Sequence, residues 1–316
     1  MPHKLIRQQR SDPGQGPRGP VMLAIAGDSA AGKTTLARGI AAALGPDRAT
    51  ALCVDDYHRY DRAERADVPF TVLNPECNYV DIMEQHLQLL ALGRAILKPV
   101  YDHSTGQLVR PVLVEPRDFV LVEGLLPLHT KLARACFDIT VYLDPPEEIR
   151  REWKLRRDCA ERGYAPDQVV AELERREPES AAYVRPQRQW ADICVRFAPI
   201  EGRAVAADTP LSAELLLRPT IQHPDLTDVL TDDDRRTVHL RLIRDADGRP
   251  VDALHIHGYA PREDSSIVQK AIWEQLSADH GTAMPDSLGG FANGTRSEAL
   301  AIAQLLLVWH LLEAME

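Results

Sequence analysis

One eight-residue segment constrains the fold of this chain more than any other. Residues 27–34 read Gly-Asp-Ser-Ala-Ala-Gly-Lys-Thr, which satisfies the pattern GxxxxGK[ST]. An apolar run at residues 21–26 precedes it, and Leu36, Ile40 and Leu44 recur every four residues after it. The pattern therefore lies between a buried strand and a helix, where backbone N–H groups bind phosphate. The segment, which we call the P-loop, predicts a nucleoside triphosphate site.

The P-loop assigns its roles residue by residue. The Lys33 ammonium reaches the β- and γ-phosphates, and the Thr34 hydroxyl binds Mg²⁺. The predicted nucleotide contacts are Gly27, Asp28, Ser29, Ala30, Ala31, Gly32, Lys33, Thr34 and Thr35. ATP with Mg²⁺ is therefore the expected cofactor pair.

Further apolar runs predict the fold class. Residues 50–54, 119–122 and 139–143 are apolar almost throughout, and each ends in acidic or glycine residues. Such strands, alternating with helices, are typical of a mainly parallel sheet covered on both faces. We expect an α/β fold of the P-loop NTPase class, similar to nucleoside monophosphate kinases.

The chain divides into three predicted parts. Residues 1–20 are polar and predict a flexible tail, and residues 21–205 predict the P-loop domain. In residues 206–316 the pattern changes to half-exposed strands at 238–242 and 251–257 and helices at 266–276 and 296–314. This α+β extension either packs on or extends the same sheet, and the pattern alone does not decide between these and a separate fold.

Two acidic residues end predicted strands beside the P-loop. Glu123 follows the run at 119–122 and is placed as a second Mg²⁺ ligand, although a solvated strand-end carboxylate is the alternative. Asp55 follows the run at 50–54 and is placed to accept a proton from a substrate hydroxyl near the γ-phosphate. A turn or helix-capping role is the alternative for Asp55.

A basic helix is predicted at residues 147–162. Lys154, Arg157, Asp158 and Arg162 fall within an arc of roughly 140° on one side of it. This face either contacts an anion or is an ordinary solvated surface.

Composition excludes several kinds of partner. The chain has 37 basic and 47 acidic residues and a net charge of −10, which disfavours nucleic acid and anionic membranes. The longest apolar stretch, at 299–312, is interrupted by Gln304 and His310 and is too short to span a bilayer. Five cysteines without a CxxC pair indicate a reduced compartment, so we expect a cytoplasmic protein.

Taken in order along the chain, these motifs resemble those of phosphoribulokinases, within the wider group of phosphoribulokinases and uridine kinases. The first set is Asp55-Asp56-Tyr57-His58 with Arg59 and Arg62, Asn74-Pro75 with Asp81, Lys98-Pro99-Val100-Tyr101-Asp102-His103 with Thr105-Gly106, and Val122-Glu123-Gly124-Leu125. The second set resembles the sugar-phosphate half of phosphoribulokinases rather than uridine kinases. It consists of Trp153-Lys154, Arg157-Asp158, Glu161-Arg162-Gly163, Arg175-Arg176-Glu177-Pro178, and Pro186-Gln187 with Ala191-Asp192. Residues 289–295 are similar to the C-terminal segment of the plant and cyanobacterial type.

The resemblance implies an activity and a set of roles. The reaction is transfer of the ATP γ-phosphoryl group to the 1-hydroxyl of D-ribulose 5-phosphate, which supplies ribulose 1,5-bisphosphate for carbon fixation. The implied catalytic residues are Asp55 as general base with Lys33, Lys154, Arg157 and Asp158, of which Asp158 either assists the metal or orients the arginines. The implied substrate contacts are His58, Arg59, Arg62, Tyr101, His103 and Arg162, and the implied clamp on ATP is Arg175 with Arg176. The family also suggests a homo-oligomer, a dimer or larger.

The sequence departs from the family at two places. Thiol-regulated members carry a cysteine in the P-loop, where this chain has Ala30-Ala31, so we expect no redox switch through the nucleotide site even though Cys53 is present. Leu126 stands where the family usually has histidine, and His129 follows three residues later.

Two other functions remain open. A kinase for uridine or another small metabolite would keep the P-loop, Asp55 and Glu123 but would need an apolar or stacking pocket for a base. A regulatory nucleotide-binding protein would need no general base.

Overall fold

The computed structural model describes residues 19–200, 209–230, 237–280, 284–291 and 294–315. Nearly all of the predicted tail lies outside these ranges. The predicted boundary at residue 205 also lies outside them, so the division into two domains stays a prediction.

Residues 19–200 contain seven of the strands. Their elements are β1 (Val21–Gly27), α1 (Lys33–Leu44), β2 (Ala49–Cys53), α2 (Val80–Ala91), β3 (Ile96–Asp102), β4 (Gln107–Val114), β5 (Phe119–Gly124), α3 (Lys131–Ala135), β6 (Ile139–Leu143), α4 (Glu147–Arg162), α5 (Pro166–Glu179) and β7 (Ile193–Ala198). The later elements are β8 (Ser212–Leu217), α6 (Thr227–Leu230), β9 (Val238–Arg244), β10 (Pro250–Ile256), α7 (Arg262–His280) and α8 (Glu298–Glu313).

Eight of the strands form one sheet in the order β2-β5-β1-β6-β7-β8-β10-β9. Neighbours from β2 to β7 are parallel, with β1 between β5 and β6. This confirms the predicted α/β fold with a mainly parallel sheet. Because β1, β2 and β5 are parallel neighbours, their carboxyl ends meet at one edge, where ligands of such sheets bind.

The C-terminal strands continue the same sheet. β8 pairs antiparallel with β7, and β10 joins β8 to β9 by two further antiparallel ladders. The half-exposed alternation seen in the sequence at β9 and β10 is typical of antiparallel edge regions. The sheet that positions the P-loop therefore extends into the C-terminal part of the chain.

Alternate residues of β1 enter two separate apolar layers. Leu23 and Ile25 pack with buried residues of α1, α7 and α8 on one face. Met22 and Ala24 pack with residues of α2 and α3 on the other face. Burial on both faces explains why this strand is apolar throughout instead of alternating.

Helix α8 lies in the core. Residues 299–312 are all buried, including Gln304 and His310. Gln304 bridges two other segments, since its amide nitrogen donates to the Thr35 carbonyl at 3.3 Å and its oxygen accepts from the Gly289 N–H at 2.7 Å. The last helix is thereby held against α1, the helix that follows the P-loop.

Within the described ranges, no helix is both long and apolar enough to cross a membrane.

Strands β3 and β4 form a separate two-stranded hairpin that the sequence patterns did not predict. β3 contains Pro99, and the register shifts between Lys98 and Val100. Seven of the eight β4 residues are exposed and none alternates with a buried neighbour, so no period-2 signal is present. The hairpin brings Tyr101 and His103 to the site described below.

We predict that Gly39→Ala destabilises the protein, although alanine usually stabilises a helix interior by about 1 kcal/mol relative to glycine. A Cβ at Gly39 would lie 1.9 Å from the Gln304 amide nitrogen, and moving that amide breaks its bond to Gly289. The free energy of unfolding should fall by about 1–3 kcal/mol in urea titrations.

The exposed Ala42 of the same helix provides the matched control. Ala42→Gly should cost about 1 kcal/mol from helix propensity alone. In the double variant Gly39→Ala/Gln304→Ala the two losses should be less than additive. A Gly39→Ala protein as stable as the starting protein would contradict the packing described here.

Candidate active site

The P-loop connects β1 to α1 through backbone that favours glycine. Gly32 has φ +94°, and a Cβ there would lie 3.9 Å from the Trp153 ring of α4. The Lys33 ammonium donates to the carbonyls of Gly27 and Asp28, at 2.9 Å each. The buried lysine head therefore lies within the turn of the loop, among backbone groups that bind phosphate in such turns.

The two predicted Mg²⁺ ligands are brought together. The Thr34 hydroxyl donates to the Glu123 carboxylate at 2.8 Å. Burial raises the pKa of Glu123, while the positive charge of Lys33 opposes that rise. A hydroxyl and a carboxylate oxygen beside the phosphate-binding turn suit Mg²⁺, which takes one or two protein oxygens together with substrate phosphates. These residues fit the metal.

The two adjacent aspartates that follow β2 have different hydrogen-bond partners. Asp56 forms an ion pair with the buried Lys98 and accepts the Tyr101 backbone N–H at 3.0 Å, so it anchors the hairpin. Asp55 instead accepts the Leu125 backbone N–H at 3.2 Å. Asp55 also lies close to Gly124, where a Cβ would approach its carboxylate to 3.0 Å and Val54 to 2.3 Å. The missing side chain at Gly124 leaves room for Asp55.

A cluster of three rings, which we call the ring cluster, consists of His58, Tyr101 and His103. The Tyr101 ring lies 5.0 Å from each histidine in edge-to-face geometry. His58 is buried, and its Nδ1 shares a 2.8 Å hydrogen bond with the Asn78 side-chain oxygen. Burial lowers the pKa of His58, and the negative charge of Asp55 opposes this. The ring cluster therefore lies close enough to Asp55, the predicted base, for the charge of Asp55 to affect the pKa of His58.

The arginines of the 59–65 segment take different positions. Arg62 donates to the His103 carbonyl at 2.7 Å, which places it at the hairpin turn. Arg59 instead lies over the Tyr79 ring at 5.1 Å. Arg65, which the sequence reasoning missed, donates to the Tyr101 hydroxyl at 2.5 Å. The sequence did contain a sign of its involvement, because Arg59, Arg62 and Arg65 follow one another at intervals of three residues.

On α4, a buried carboxylate gathers three cations. Asp158 accepts from Lys154 at 2.6 Å and from Arg157 at 2.9 Å, and Arg162 lies 3.4 Å away. Burial alone would raise the pKa of Asp158, but the hydrogen bonds from Lys154 and Arg157 lower it. Asp158 thus contacts three cations of its own helix, and its role in assisting the metal or in orienting the arginines stays a prediction.

Lys154 is itself buried, at 3% exposure. Burial and then the positive charge of Arg176 lower the pKa of Lys154 to about 8, although Asp158 opposes them. The pKa of this buried cation is thus lower than that of an exposed lysine.

The predicted ATP clamp lies against a carboxylate. Glu172 accepts from Arg176 at 2.6 Å and from Arg175 at 3.1 Å. Arg175 is more than half exposed, whereas Arg176 is close enough to affect the pKa of Lys154. Arg176 therefore belongs to the cationic region, and Arg175 faces outward.

Electrostatics connect the hairpin to both halves of the site. Burial lowers the pKa of His103, Asp55 opposes this, and the positive charge of Arg162 adds to it. His103 is thus in range of the predicted base and of the α4 cations. Leu126, at the position where the family usually has histidine, is buried in an apolar cluster with Leu73 and Val184. The neighbouring His129 instead packs edge-on against Tyr183, with ring centroids 6.0 Å apart.

Comparisons with known proteins show the family to which the sequence is similar. A family model described as the phosphoribulokinase / uridine kinase family matches residues 22–202. A phosphoribulokinase of Synechocystis is 40% identical over 179 residues, which cover 57% of this chain and 54% of that protein. A uridine kinase of Brevibacillus brevis is 32% identical over 186 residues, covering 56% and 84%. The chain spans about half the length of the cyanobacterial relative.

A solved structure extends the likeness of fold beyond the matched sequence. A phosphoribulokinase from Rhodobacter spheroides superposes with a TM-score of 0.58 at 17% identity, covering 82% of this chain and 96% of that one. Residues 289–295 lie beyond the family match, and Ala292 and Asn293 lie outside the described ranges. The likeness of that segment to the plant type stays a prediction.

We predict that Asp158→Asn lowers the free energy of unfolding by about 3–5 kcal/mol at pH 6, because buried Lys154 loses its counter-charge. The pKa of Lys154 should then fall below its present value of about 8. Above that lower pKa the folded state releases a proton that the unfolded state keeps, so stability rises with pH. The deficit relative to the starting protein should therefore shrink between pH 6 and pH 9, by about 1.4 kcal/mol per unit of lowered pKa.

Urea unfolding at pH 6 and pH 9 measures this effect. Glu152→Gln is the matched control, because Glu152 pairs with Arg156 at 2.6 Å on the exposed side of the same helix. That exposed pair should contribute about 0.5 kcal/mol or less. Equal, pH-independent losses in both variants would contradict a buried cation cluster centred on Asp158.

Proposed function

The chain belongs to the phosphoribulokinase / uridine kinase family, and we propose that it transfers the γ-phosphoryl group of ATP to the 1-hydroxyl of D-ribulose 5-phosphate. The observation that carries this proposal is the group of Lys154, Arg157 and Arg162 around Asp158. The P-loop already supplies groups for the nucleotide phosphates. Further cations beside it suit an acceptor that carries a phosphate of its own.

The acceptor distinguishes this proposal from uridine phosphorylation. Uridine has no charge, so the cations collected in this protein of net charge −10 would add nothing to the binding of uridine itself. The ring cluster has imidazole and phenol groups, which can hydrogen-bond sugar hydroxyls. Arg62 and Arg65 contact the ring cluster or its hairpin. These contacts support a sugar phosphate as the acceptor, held by His58, Arg62 and Arg162.

In the proposed reaction the acceptor oxygen forms a bond to the γ-phosphorus. The bond between that phosphorus and the β,γ-bridging oxygen breaks, and ADP leaves. Asp55 accepts the proton of the attacking hydroxyl. Lys33 and Lys154 neutralise charge on the transferring group, which is the main contribution that a protein makes to phosphoryl transfer.

Thr34 and Glu123 would hold Mg²⁺, which when bound supplies charge neutralisation between the β- and γ-phosphates. Arg175 and Arg176 would contact ATP after leaving Glu172. Arg157 would bind a phosphate oxygen while Asp158 fixes its position. The cysteine usage favours the cytoplasm as the compartment of the proposed enzyme, and the family resemblance suggests a homo-oligomer.

The deciding experiment measures ADP release by the purified protein with MgATP, in parallel with D-ribulose 5-phosphate, with uridine and without acceptor. Turnover only with D-ribulose 5-phosphate is the expected result. Turnover with uridine alone would overturn the proposed acceptor and keep the kinase. No turnover with either, together with ATP binding, would favour a regulatory nucleotide-binding protein.

We predict that Asp55→Asn lowers kcat by about 10²- to 10⁴-fold, because an amide does not accept the hydroxyl proton. Nucleotide affinity should be unchanged, as measured by calorimetry with a non-hydrolysable ATP analogue. The matched control is Asp118→Asn, which makes the same chemical change. Asp118 directly precedes β5, at the end of that strand away from Gly124, and pairs with Arg48 on the surface. This variant should keep full kcat. If Asp55→Asn retained normal turnover, Asp55 would not be the base.

A further inference from the structure

Two consecutive residues at the end of α5 contact opposite halves of the site. The first contact joins Ser180 to the P-loop. The Ser180 hydroxyl donates a hydrogen bond to the Asp28 carboxylate, and both side chains are buried. The other Asp28 oxygen accepts the Ser29 N–H at 2.7 Å. Ser180 therefore fixes a carboxylate that in turn fixes the P-loop backbone.

The second contact joins Glu179 to the segment on the acceptor side. Its carboxylate accepts from the Thr71 backbone N–H at 2.9 Å, from the Thr71 hydroxyl and from the Asn74 amide at 3.0 Å. Three donors on one carboxylate hold residues 71–74 firmly, since charge-assisted hydrogen bonds are among the stronger ones.

Residues 71–74 lead directly to a predicted substrate contact. The Asn78 amide donates to the carbonyls of Val72 at 3.0 Å and Asn74 at 2.8 Å. The Asn78 oxygen shares the 2.8 Å hydrogen bond with His58. Glu179 is thus connected through one short loop to the imidazole that would contact the sugar phosphate.

The backbone at this point is irregular. Pro178 lies inside α5, and residues Ser180–Val184 form a π-helical turn. Proline interrupts the hydrogen-bond ladder of a helix, and π turns occur frequently at functional sites. Neither Glu179 nor Ser180 belongs to the P-loop or to the groups that would touch the reacting atoms.

We propose that Glu179 and Ser180 are positioning residues that couple the nucleotide site to the acceptor site. Displacement of the P-loop on nucleotide binding moves Asp28, and hence the end of α5. The same helix end carries Glu179, so residues 71–78 and His58 move with it. Binding of either ligand then favours the arrangement that binds the other, and by linkage the effect is reciprocal. The inference rests on the proposed function for the identity of the acceptor.

The test is the dissociation constant of a non-hydrolysable ATP analogue with Mg²⁺, measured by calorimetry with and without saturating D-ribulose 5-phosphate. In the unmodified protein the acceptor should tighten nucleotide binding about 5-fold or more. Ser180→Ala and Glu179→Gln should each reduce this factor to about 2 or less. Ser180→Ala should also weaken nucleotide binding by itself, whereas Glu179→Gln should weaken only acceptor binding.

Ser212→Ala is the matched control, because Ser212 is also buried and its hydroxyl accepts the Gly258 N–H at 3.1 Å, which belongs to neither loop. It should leave the coupling factor unchanged. If Glu179→Gln does not fold, Thr71→Ala removes one of the same donors and should reduce the factor too. A general loss of stability would lower the melting temperature in all these variants but would not change a ratio of affinities selectively.

Two results would overturn the inference. One is a coupling factor that is the same in Ser180→Ala, Glu179→Gln and the unmodified protein. The other is the absence of coupling in the unmodified protein although both ligands bind. If D-ribulose 5-phosphate neither binds nor reacts, the proposed function fails first. Nucleotide affinity alone then decides, since equal affinities of Ser180→Ala and Ser212→Ala would overturn the role of Ser180.

Discussion

The burial of β1 on both faces, between two parallel neighbours, determines where the nucleotide-binding groups of this protein lie. Because β5 and β6 flank β1 in parallel, the P-loop and Glu123 emerge at one edge of the sheet, and the parallel β2 adds Asp55 there. The nucleotide groups therefore need no dedicated framework of their own. Their positions follow from the hydrogen-bond register of the buried central strands.

The acceptor side is organised by charge. An acidic protein has to collect its cations locally, and Asp158 does so by bridging Lys154, Arg157 and Arg162 within one helix. The same carboxylate limits mutual repulsion among them. This solution leaves Lys154 with a pKa near 8, because burial and Arg176 together outweigh the attraction of Asp158.

The parts of this structure that depend on local sequence pattern could be predicted from the sequence. The parallel strands, α4 and the pairing of Thr34 with Glu123 follow from apolar runs, helical period and a motif of fixed spacing. The β3–β4 hairpin and the contact between Ser180 and Asp28 depend on tertiary packing across many residues, which leaves no period in the sequence. Arg65 lies between these cases, since its spacing was visible but its partner Tyr101 was on an unpredicted hairpin. The catalytic and binding roles of the site residues stay predictions until they are measured.

The position of α8 has a consequence for how the molecule can be divided. Gln304 reaches the backbone of α1 only two residues after Lys33, and residues 299–312 fill the apolar layer beneath that helix. A fragment that stops at residue 200 would expose the rear of the nucleotide helix to water. The segment matched by the family thus shares its apolar layer with a helix supplied by a later part of the polypeptide, and that helix packs directly on the one that follows the P-loop.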